Sequence, residues 1–542
     1  MNRLTEQSRA LVQQLHELLS STSWFGRTRH DQRVVYLLDQ IRNQGEPATI
    51  GLAAKCLFES SLQIKIAASQ TIHELLSRFS PEQLIQLSGV LGSSWGWYIS
   101  ESWDKLSPQG LVALLVDSQS RVSVLGLLTF HRSGYVRQEA VRLLASDTSG
   151  EELPYLLIRQ NDWVEVIAIE AQRAVNQRLL PSNLPHFIRF APLVVRLLSF
   201  RRQNVSPVVR KVVEMLVHPA RDSMLTEVIE GSHAEVRRQV VQLALELPGQ
   251  HLARVMRHGL ASTDPTIRLA CAIQVCMIFS GSELQAATVM FQHDRFMPVR
   301  REGFRVETVT DPDSAAKIWR RALLDSSASI RELARYTLGK VEDFDAGAFY
   351  RHYLAENGVS YVAVSGLAET GDQTDVATLR SLLNHPRPRF RCMAIRGIAR
   401  IAKDDASGDL VRSLWDSSPR VVREAKTQLK PFVNNIAGET LFEIVSQSGV
   451  ESSRRCVLQL IFEKGKWQSL PWLIRIACLD DDSLATKARH LVEEWFSPPL
   501  CNKVFTKPNA SERRAIDAAI EASRRKPEDK FLERVQECLE PV

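Results

Sequence analysis

The chain has 542 residues, of which 44% are hydrophobic and 24% are charged, the balance of an ordinary soluble folded protein. Its 68 basic and 62 acidic residues leave a net charge of +6, too small an excess for this length to indicate nucleic-acid binding by itself. No apolar run approaches the ~18 residues of a transmembrane helix, and the first residues lack the apolar core of a signal peptide. We therefore expect a cytoplasmic protein.

The chain divides by its helical patterns into three parts. Residues 1–50 are amphipathic and polar, and we predict that they form an N-terminal helical cap. A stronger helical pattern begins at residues 61–76, SLQIKIAASQTIHELL, in which Ile64 opens the apolar face. We predict that residues 51–495 are a repeat array, irregular at 91–110 and 176–208, and that residues 496–542 are a linker followed by polar helices.

Residues 91–110, LGSSWGWYISESWDKLSPQG, break the pattern with a group of aromatic and acidic side chains. The group comprises Trp95, Trp97, Tyr98, Glu101, Trp103 and Asp104. One interpretation is aromatic packing inside a divergent repeat. The other is an anchor for a protein partner, with Trp95 and Trp97 as the binding residues, because Trp and Tyr are common at interface hot spots.

An apolar anchor residue recurs along most of the chain. The anchors are Val136, Val164, Val209, Val236, Ile267, Val299, Ile330, Tyr361, Phe390, Val422, Ser453 (a polar exception) and Leu484, and from Val236 onward they are 29 to 32 residues apart. Apolar residues follow the anchors at helical spacing, and a second apolar segment usually precedes them. Each unit is therefore a pair of helices that cannot bury both apolar faces alone, so stacking of units into a solenoid is expected.

The step between Val164 and Val209 is longer, 45 residues, and contains Pro181, Pro185 and Pro192 in a very apolar stretch. Proline interrupts helices, so broken helices that fill a bend are predicted here. The basic pair Arg201 and Arg202 follows, and we consider it as an anion-contacting site or a solvated edge.

The segment LLDSSASIRELARYTLGKV, residues 323–341, resembles a HEAT repeat of the short bacterial kind. Ile330, Arg331, Ala334, Leu338 and Gly339 match the family pattern of an apolar residue, Arg, Ala and a Leu–Gly ending. The resemblance covers roughly residues 50–495. It implies an all-α fold, an α-solenoid of about 13–15 stacked helical hairpins in a right-handed superhelix.

An arginine follows the anchor in nine of the twelve units. These arginines are Arg137, Arg210, Arg237, Arg268, Arg300, Arg331, Arg391, Arg423 and Arg454. Acidic residues precede several anchors, namely Asp264, Asp294, Asp325 and Asp416. Equivalent positions of adjacent units lie ~10 Å apart, a gap that an arginine fork can span to reach a carboxylate or a helix-end carbonyl. We predict a structural ladder, as the resemblance to HEAT repeats also implies.

Residues 380–430 contain twelve basic and five acidic side chains, an excess of seven that exceeds the net charge of the whole chain. Arg387 and Arg389 lie in an inter-helix turn and the following helix start, with Arg396 and Arg400 further along. These four arginines are candidate binding residues for a phosphate or an acidic partner. The alternative is a solvated face, and Arg391 and Arg423 already belong to the predicted ladder.

The regular pattern fades after Leu484. Residues 496–510 are predicted to be a linker, and residues 509–525 a short polar helix with Asn509 and Glu512 at capping-box spacing. A second helix is predicted at 527–539.

No P-loop, GxSxG or dinucleotide-binding motif is found, and none of the eight cysteines forms a CxxC pair. We therefore expect no cofactor, no metal, no small-molecule substrate and no enzymatic activity. The leading hypothesis is a scaffold that binds a protein partner on the concave surface of the solenoid. The alternative is nucleic-acid binding through the 380–430 patch. Resemblance to HEAT-like glycosylases, with base release at residues 95–104, gives a third hypothesis.

Overall fold

The computed structural model describes residues 5–20, 27–87, 101–199, 206–231, 233–501, 503–504, 506–524 and 530–539. Across these ranges the chain is helical and contains no β-strand, so the prediction of an all-α fold is confirmed. The chain forms two compact units, unit 1 at residues 1–303 and unit 2 at residues 304–542. None of the described helices is long and apolar enough to cross a membrane.

The first helices of unit 1 are α1 (Glu6–Ser20), α2 (Arg27–Gln44), α3 (Ile50–Cys56), α4 (Leu62–Ser77), α5 (Pro81–Ile85), α6 (Glu101–Asp104), α7 (Arg121–Leu128), α8 (Gly134–Ala145), α9 (Leu153–Arg159) and α10 (Glu165–Gln177). They are followed by α11 (Leu184–Arg189), α12 (Ala191–Arg196), α13 (Ser206–Leu216), α14 (Asp222–Glu230), α15 (Ala234–Glu246), α16 (Leu252–Ala261), α17 (Pro265–Ile278) and α18 (Gly281–Gln292). The division between the units falls inside α19 (Met297–Thr310).

Unit 2 continues with α20 (Ala315–Ala322), α21 (Ala328–Val341), α22 (Ala346–Asn357), α23 (Tyr361–Thr370), α24 (Val376–Ser381), α25 (Pro388–Ala402), α26 (Ser407–Arg412) and α27 (Pro419–Leu429). Its last helices are α28 (Gly438–Gln447), α29 (Glu451–Glu463), α30 (Lys466–Ala477), α31 (Asp482–Phe496), α32 (Ala510–Ser523) and α33 (Lys530–Leu539). In α32 the predicted capping box is confirmed, since Asn509 and Glu512 accept each other's backbone N–H at 2.9 Å.

Each repeat is a hairpin of a first helix and a second helix, and the second helices pack on one another. In unit 2, α23, α25, α27 and α29 pack side by side in chain order. A short turn separates the first helix from the second, and proline at the first position of α25 and α27 fixes the helix start. Buried apolar residues such as Ile330 and Leu338 face the core between neighbouring hairpins.

The stretch after α10 departs from this regular hairpin. Two six-residue helices, α11 and α12, occupy the place of a single first helix, and Pro185 and Pro192 lie near their starts. Proline lacks a backbone N–H and clashes in a helix interior, so it favours the first turn, where both of these prolines lie. The broken helices predicted for this region are present.

Candidate binding surfaces

The predicted ladder arginines occupy a shared geometry, seen most clearly at Arg137. Its Nη1 donates to the carbonyls of His131 and Arg132 at 3.0 Å, which lie in the turn between the two helices of its own hairpin. Its Nε and Nη2 donate to the carboxylate of Asp162 in the turn of the next hairpin, both at 3.0 Å. One guanidinium thus joins two successive turns.

Asp162 organises the turn that it belongs to. Besides Arg137, it accepts hydrogen bonds from Arg159 Nη1 and from the backbone N–H of Val164, both at 2.9 Å. Burial acts to raise the pKa of the Asp162 carboxyl, but the hydrogen bonds from Arg137 and Val164 outweigh burial and hold this pKa below its usual value. The carboxylate is therefore charged at neutral pH although its side chain is fully buried.

The same contacts recur along both units. Arg268 donates to Asp294 at 2.7 and 2.9 Å, and Arg391 donates to Asp416 at 2.7 and 2.8 Å. Arg237 and Arg238 share Asp264, Arg300 donates to the Asp294 carbonyl at 2.8 Å, and Arg454 donates to Asp481 at 2.7 Å. The hydrogen bonds from Arg268 lower the pKa of Asp294.

Arg331 has a different acidic partner. Its Nη1 donates to the Asp325 carbonyl at 2.8 Å, as in the other units, but Nε and Nη2 donate to Glu369 on α23. The next turn contains Asn357 and Gly358 where other turns carry aspartate. Because that turn lacks a carboxylate, the Arg331 guanidinium pairs instead with Glu369, which lies further along the neighbouring helix.

Arg210 and Arg423 do not share this geometry. Both are exposed; Arg423 Nε donates within its own helix to the Pro419 carbonyl at 3.1 Å, and Arg210 lies 3.9 Å from Glu246. In α27 the buried positions are Val421 and Val422, so Val422 occupies the arginine's place and Arg423 is turned about 100° further around the helix. Val208 and Val209 displace Arg210 in the same way.

A second series of cations, which the sequence analysis missed, lies at the ends of the second helices. Arg178 donates to the Leu144 and Ala145 carbonyls at 3.3 and 3.0 Å, and Lys464 donates to the Val433 and Ile436 carbonyls at 2.7 and 2.8 Å. The Leu144 and Ala145 carbonyls end the second helix of the preceding hairpin, α8, whereas the Val433 and Ile436 carbonyls lie in and directly after the 3-10 segment Lys430–Asn435 that follows α27. The sequence signal is a cation ten or eleven residues after the buried anchor.

Arg400 belongs to this second series, which changes its interpretation. Its Nε donates to the Ala368 carbonyl at 2.8 Å, and its Nη2 donates to the Gly371 carbonyl, so it caps the end of α23. Burial lowers the pKa of this guanidinium, which stays charged at any ordinary pH. Arg400 therefore makes contacts inside the fold, and its partner-binding role stays a prediction.

Arg396 is also engaged within unit 2. Its Nε and Nη2 form a bidentate pair with the Glu424 carboxylate of α27, at 2.7 and 2.6 Å. Its side chain nevertheless remains half exposed. Arg396 therefore offers a partner less charge than the sequence indicates.

Arg387 is exposed directly before α25, and Arg389 is exposed in the first turn of that helix. Arg389 lies over the Tyr361 ring, with the guanidinium carbon 5.0 Å from the ring centroid. Arg420 and Arg423 are exposed on the next second helix, α27, and Arg412 is exposed at the end of α26. We call these five residues and the 43% exposed Trp415 the arginine rim.

An aromatic ridge on unit 1 was not identified from the sequence. It consists of Tyr135, Trp163 and Val166, which are 77%, 71% and 52% exposed. The Arg137 guanidinium carbon lies 5.4 Å from the centroid of the Trp163 ring, and the turns that carry the two aromatics are adjacent. The available signal was the position of each aromatic, Tyr135 before an anchor and Trp163 after a turn aspartate.

Comparison with known proteins identifies the repeat. Residues 354–429 match the family model of HEAT repeats. The prediction of HEAT repeats is confirmed for this part of the chain. The matched HEAT repeats contain the whole arginine rim. No curated protein matches the sequence.

Solved structures that are similar to this chain at low identity include importin beta and Kap121p. Importin beta, crystallised in a polyethylene glycol condition, is 13% identical, with 98% of this chain and 83% of that chain covered and a TM-score of 0.27. Kap121p is 14% identical, with 99% of this chain covered and a TM-score of 0.24. This chain spans 57% of the length of Kap121p.

The remaining candidate residues of the HEAT-repeat chain lie partly outside the described ranges. Trp95, Trp97, Arg201 and Arg202 are in residues that the structure does not describe. Trp103, from the same aromatic group, is 3% exposed and packs against Phe58 and His131, as a core residue does. Among the described residues, no group of three or more His, Cys, Asp and Glu side chains is placed to hold a metal ion.

Proposed function

We propose that this HEAT-repeat chain is a non-enzymatic scaffold that binds a protein partner, and that the aromatic ridge of unit 1 is a principal contact. The observation that carries the proposal is the combination of an exposed tryptophan with a rigid support. Trp163 is 71% exposed, whereas the preceding residue, Asp162, is held by four hydrogen bonds.

The rigid support matters because binding orders the groups that make the contact. A side chain on a fixed turn loses little conformational entropy when a partner covers it. Trp and Tyr also dominate the binding energy of protein interfaces when they enter a pocket of the partner. The ridge therefore has the composition and the fixed geometry of an interface hot spot.

The location differs from the sequence-based expectation. The sequence predicts partner binding on the concave surface of the solenoid, whereas the proposed ridge lies at the turns between first and second helices. The buried ladder contacts of Arg137 and Asp162 lie directly beneath it. In this proposal the ladder serves both the stack and the presentation of Trp163.

Affinity capture with a variant tests the proposal. Wild-type protein and the Tyr135→Ala/Trp163→Ala variant are used as baits in an extract of the native cells, with quantitative mass spectrometry of the bound proteins. We expect at least one partner whose recovery falls tenfold or more with the variant, because the variant removes the two largest exposed aromatics of the ridge.

The matched control is Tyr336→Ala, which removes a 62% exposed aromatic from unit 2. It should leave the recovery of that partner unchanged. Titration of the recovered partner against both variants then gives the change in Kd. Equal recovery of every bound protein by the ridge variant would contradict the proposed surface.

A further inference from the structure

The arginine rim carries positive charge that the carboxylates of the fold do not neutralise. Within the ranges that the structure describes, Arg387, Arg389, Arg412, Arg420 and Arg423 take part in no ion pair. Other cations of the same stretch are paired, Arg380 with Asp409 at 2.7 Å and Lys430 with Glu463 at 2.8 Å. The unpaired charge is therefore concentrated at the turn side of two adjacent hairpins.

The acidic residues of this stretch do not neutralise the rim. Asp409, Asp416 and Glu424 are already paired with arginines of the fold. Asp404 and Asp405 lie in the segment Lys403–Ala406, beyond the far end of the 15-residue helix α25. A helix of that length separates its two ends by about 22 Å, so these carboxylates are remote from Arg387.

The two turns of the rim are held against each other by Arg391. Its Nη1 donates to the His385 and Pro386 carbonyls at 2.7 and 3.2 Å, and its Nε and Nη2 donate to Asp416. Arg387 directly follows Pro386, and Trp415 directly precedes Asp416. The exposed indole and Arg387 are therefore carried by two turns that Arg391 joins.

We propose that the arginine rim binds single-stranded nucleic acid. Arginines pair with phosphates, and an exposed aromatic among them offers a surface on which an unpaired base stacks. A duplex conceals its bases inside the stack and would use only the charges. An acidic peptide would likewise use the charges, but its carboxylates have no use for the Trp415 ring. This inference is independent of the proposed protein-binding ridge, which lies in unit 1.

The test is fluorescence anisotropy of the full-length chain with labelled oligo-dT and oligo-U of about 20 nucleotides. A duplex of the same length and a labelled poly-glutamate peptide serve as competing probes. Titrations between about 50 and 200 mM NaCl give the salt dependence of Kd. The variants are Arg387→Glu/Arg389→Glu and Trp415→Ala, and circular dichroism checks that each is folded.

Two distinct effects are expected. The double reversal should raise Kd at least tenfold and lower the slope of log Kd against log salt by about 1.4, the contribution of two single-strand phosphate contacts. Trp415→Ala should raise Kd about tenfold through lost stacking, with the salt slope unchanged. Trp415→Phe, which keeps an aromatic surface, should recover most of the affinity.

The matched control is Lys317→Glu/Lys340→Glu, which makes the same change in charge at exposed positions of unit 2 away from the rim. It should leave Kd within twofold of wild type. Wild-type binding by the Arg387/Arg389 double variant would overturn the proposal. A duplex that binds as tightly as oligo-dT, or poly-glutamate that binds as tightly with no effect of Trp415→Ala, would overturn it in favour of charge-only recognition.

Discussion

Arg137 and Arg423 both follow a buried valine in equivalent repeats, yet only Arg137 reaches the neighbouring turn. The difference is one residue of register. In α8 the second buried position is the arginine itself, which is 3% exposed, whereas in α27 that position is Val422. A residue one place further along a helix points about 100° away, so the chemistry of a ladder arginine depends on its position and not on its type.

The first prediction concerns this residue. Arg137→Met should destabilise unit 1 by about 3 kcal/mol, because it leaves the buried carboxylate of Asp162 with only one cationic partner and removes a donor from two carbonyls. Urea denaturation, read in unit 1 by pulsed hydrogen exchange with mass spectrometry, measures the change.

Arg423→Met provides the comparison for this residue-scale prediction, since Arg423 is exposed and bonds only within its own helix. It should change the stability of unit 2 by less than about 0.5 kcal/mol. Equal effects of the two substitutions would mean that the ladder contacts do not contribute to stability.

At the scale of the helix, cations of neighbouring hairpins contact the ends of second helices. At the starts of α10, α17 and α27, a turn aspartate accepts hydrogen bonds from an arginine of the preceding hairpin. At the ends of α8 and α23, a cation of the following hairpin, Arg178 or Arg400 respectively, donates to the last carbonyls. Neighbouring helices thus satisfy each other's free backbone groups, which the apolar periodicity alone does not specify.

The second prediction separates the two uses of arginine in α25. Arg400→Ala should destabilise unit 2 by about 1–3 kcal/mol, because the end carbonyls of α23 lose their donor. It should leave the affinity for oligo-dT unchanged. Arg389→Ala should do the reverse, with stability within about 0.5 kcal/mol of wild type and weaker oligo-dT binding. Thermal unfolding and anisotropy on the same preparations make the comparison. Weaker binding by Arg400→Ala at full stability would return Arg400 to the binding surface.

The helical elements could be predicted from the sequence because each repeat shows an apolar face at helical spacing. The hairpins around Ile267, Ile330 and Phe390 were placed correctly for that reason. The predicted anchor is one position too late where two neighbouring residues are both apolar, as at Val421 and Val422. It is too early where the turn also contains an apolar residue, as at Val164 before the buried Ile167. Apolar spacing therefore predicts which turn of a helix is buried, but it does not predict which of two adjacent valines occupies the anchor position.

The candidate site was less predictable than the helices, because it depends on which arginines already contact carboxylates or helix-end carbonyls within the fold. The sequence does not distinguish the roles of three arginines that lie within 14 residues of one another, Arg387, Arg396 and Arg400. Only the packing of α23 and α27 against α25 shows that Arg396 pairs with Glu424 and that Arg400 caps a helix. The ridge at Tyr135 and Trp163 was missed for the same reason, because exposure of an aromatic residue is a property of the packed chain.

At the scale of the whole molecule, the stability of a repeat protein is close to a sum of nearest-neighbour terms. Each ladder arginine links only successive hairpins, and each cation at a helix end links only a hairpin and its predecessor. The chain forms two compact units, and the contacts described for Arg137 and Arg391 each remain within one of them. A local defect should therefore open its own neighbourhood before it affects distant repeats.

The last prediction tests this locality. Arg137→Met should speed hydrogen exchange in α8, α9 and α10 and leave the exchange of α25, α26 and α27 at its wild-type rate. Arg391→Met should speed hydrogen exchange in α25, α26 and α27 and leave the exchange of α8, α9 and α10 at its wild-type rate. The reason is that it removes the link between the turns of α25 and α27. The physical reason is that opening a hairpin costs only its own contacts and those with its two neighbours. Peptide-level exchange measured on both variants under native conditions distinguishes the outcomes. If Arg137→Met accelerated exchange equally in both units, the chain would unfold as one cooperative body, and the partner-binding ridge and the arginine rim would be coupled through its stability.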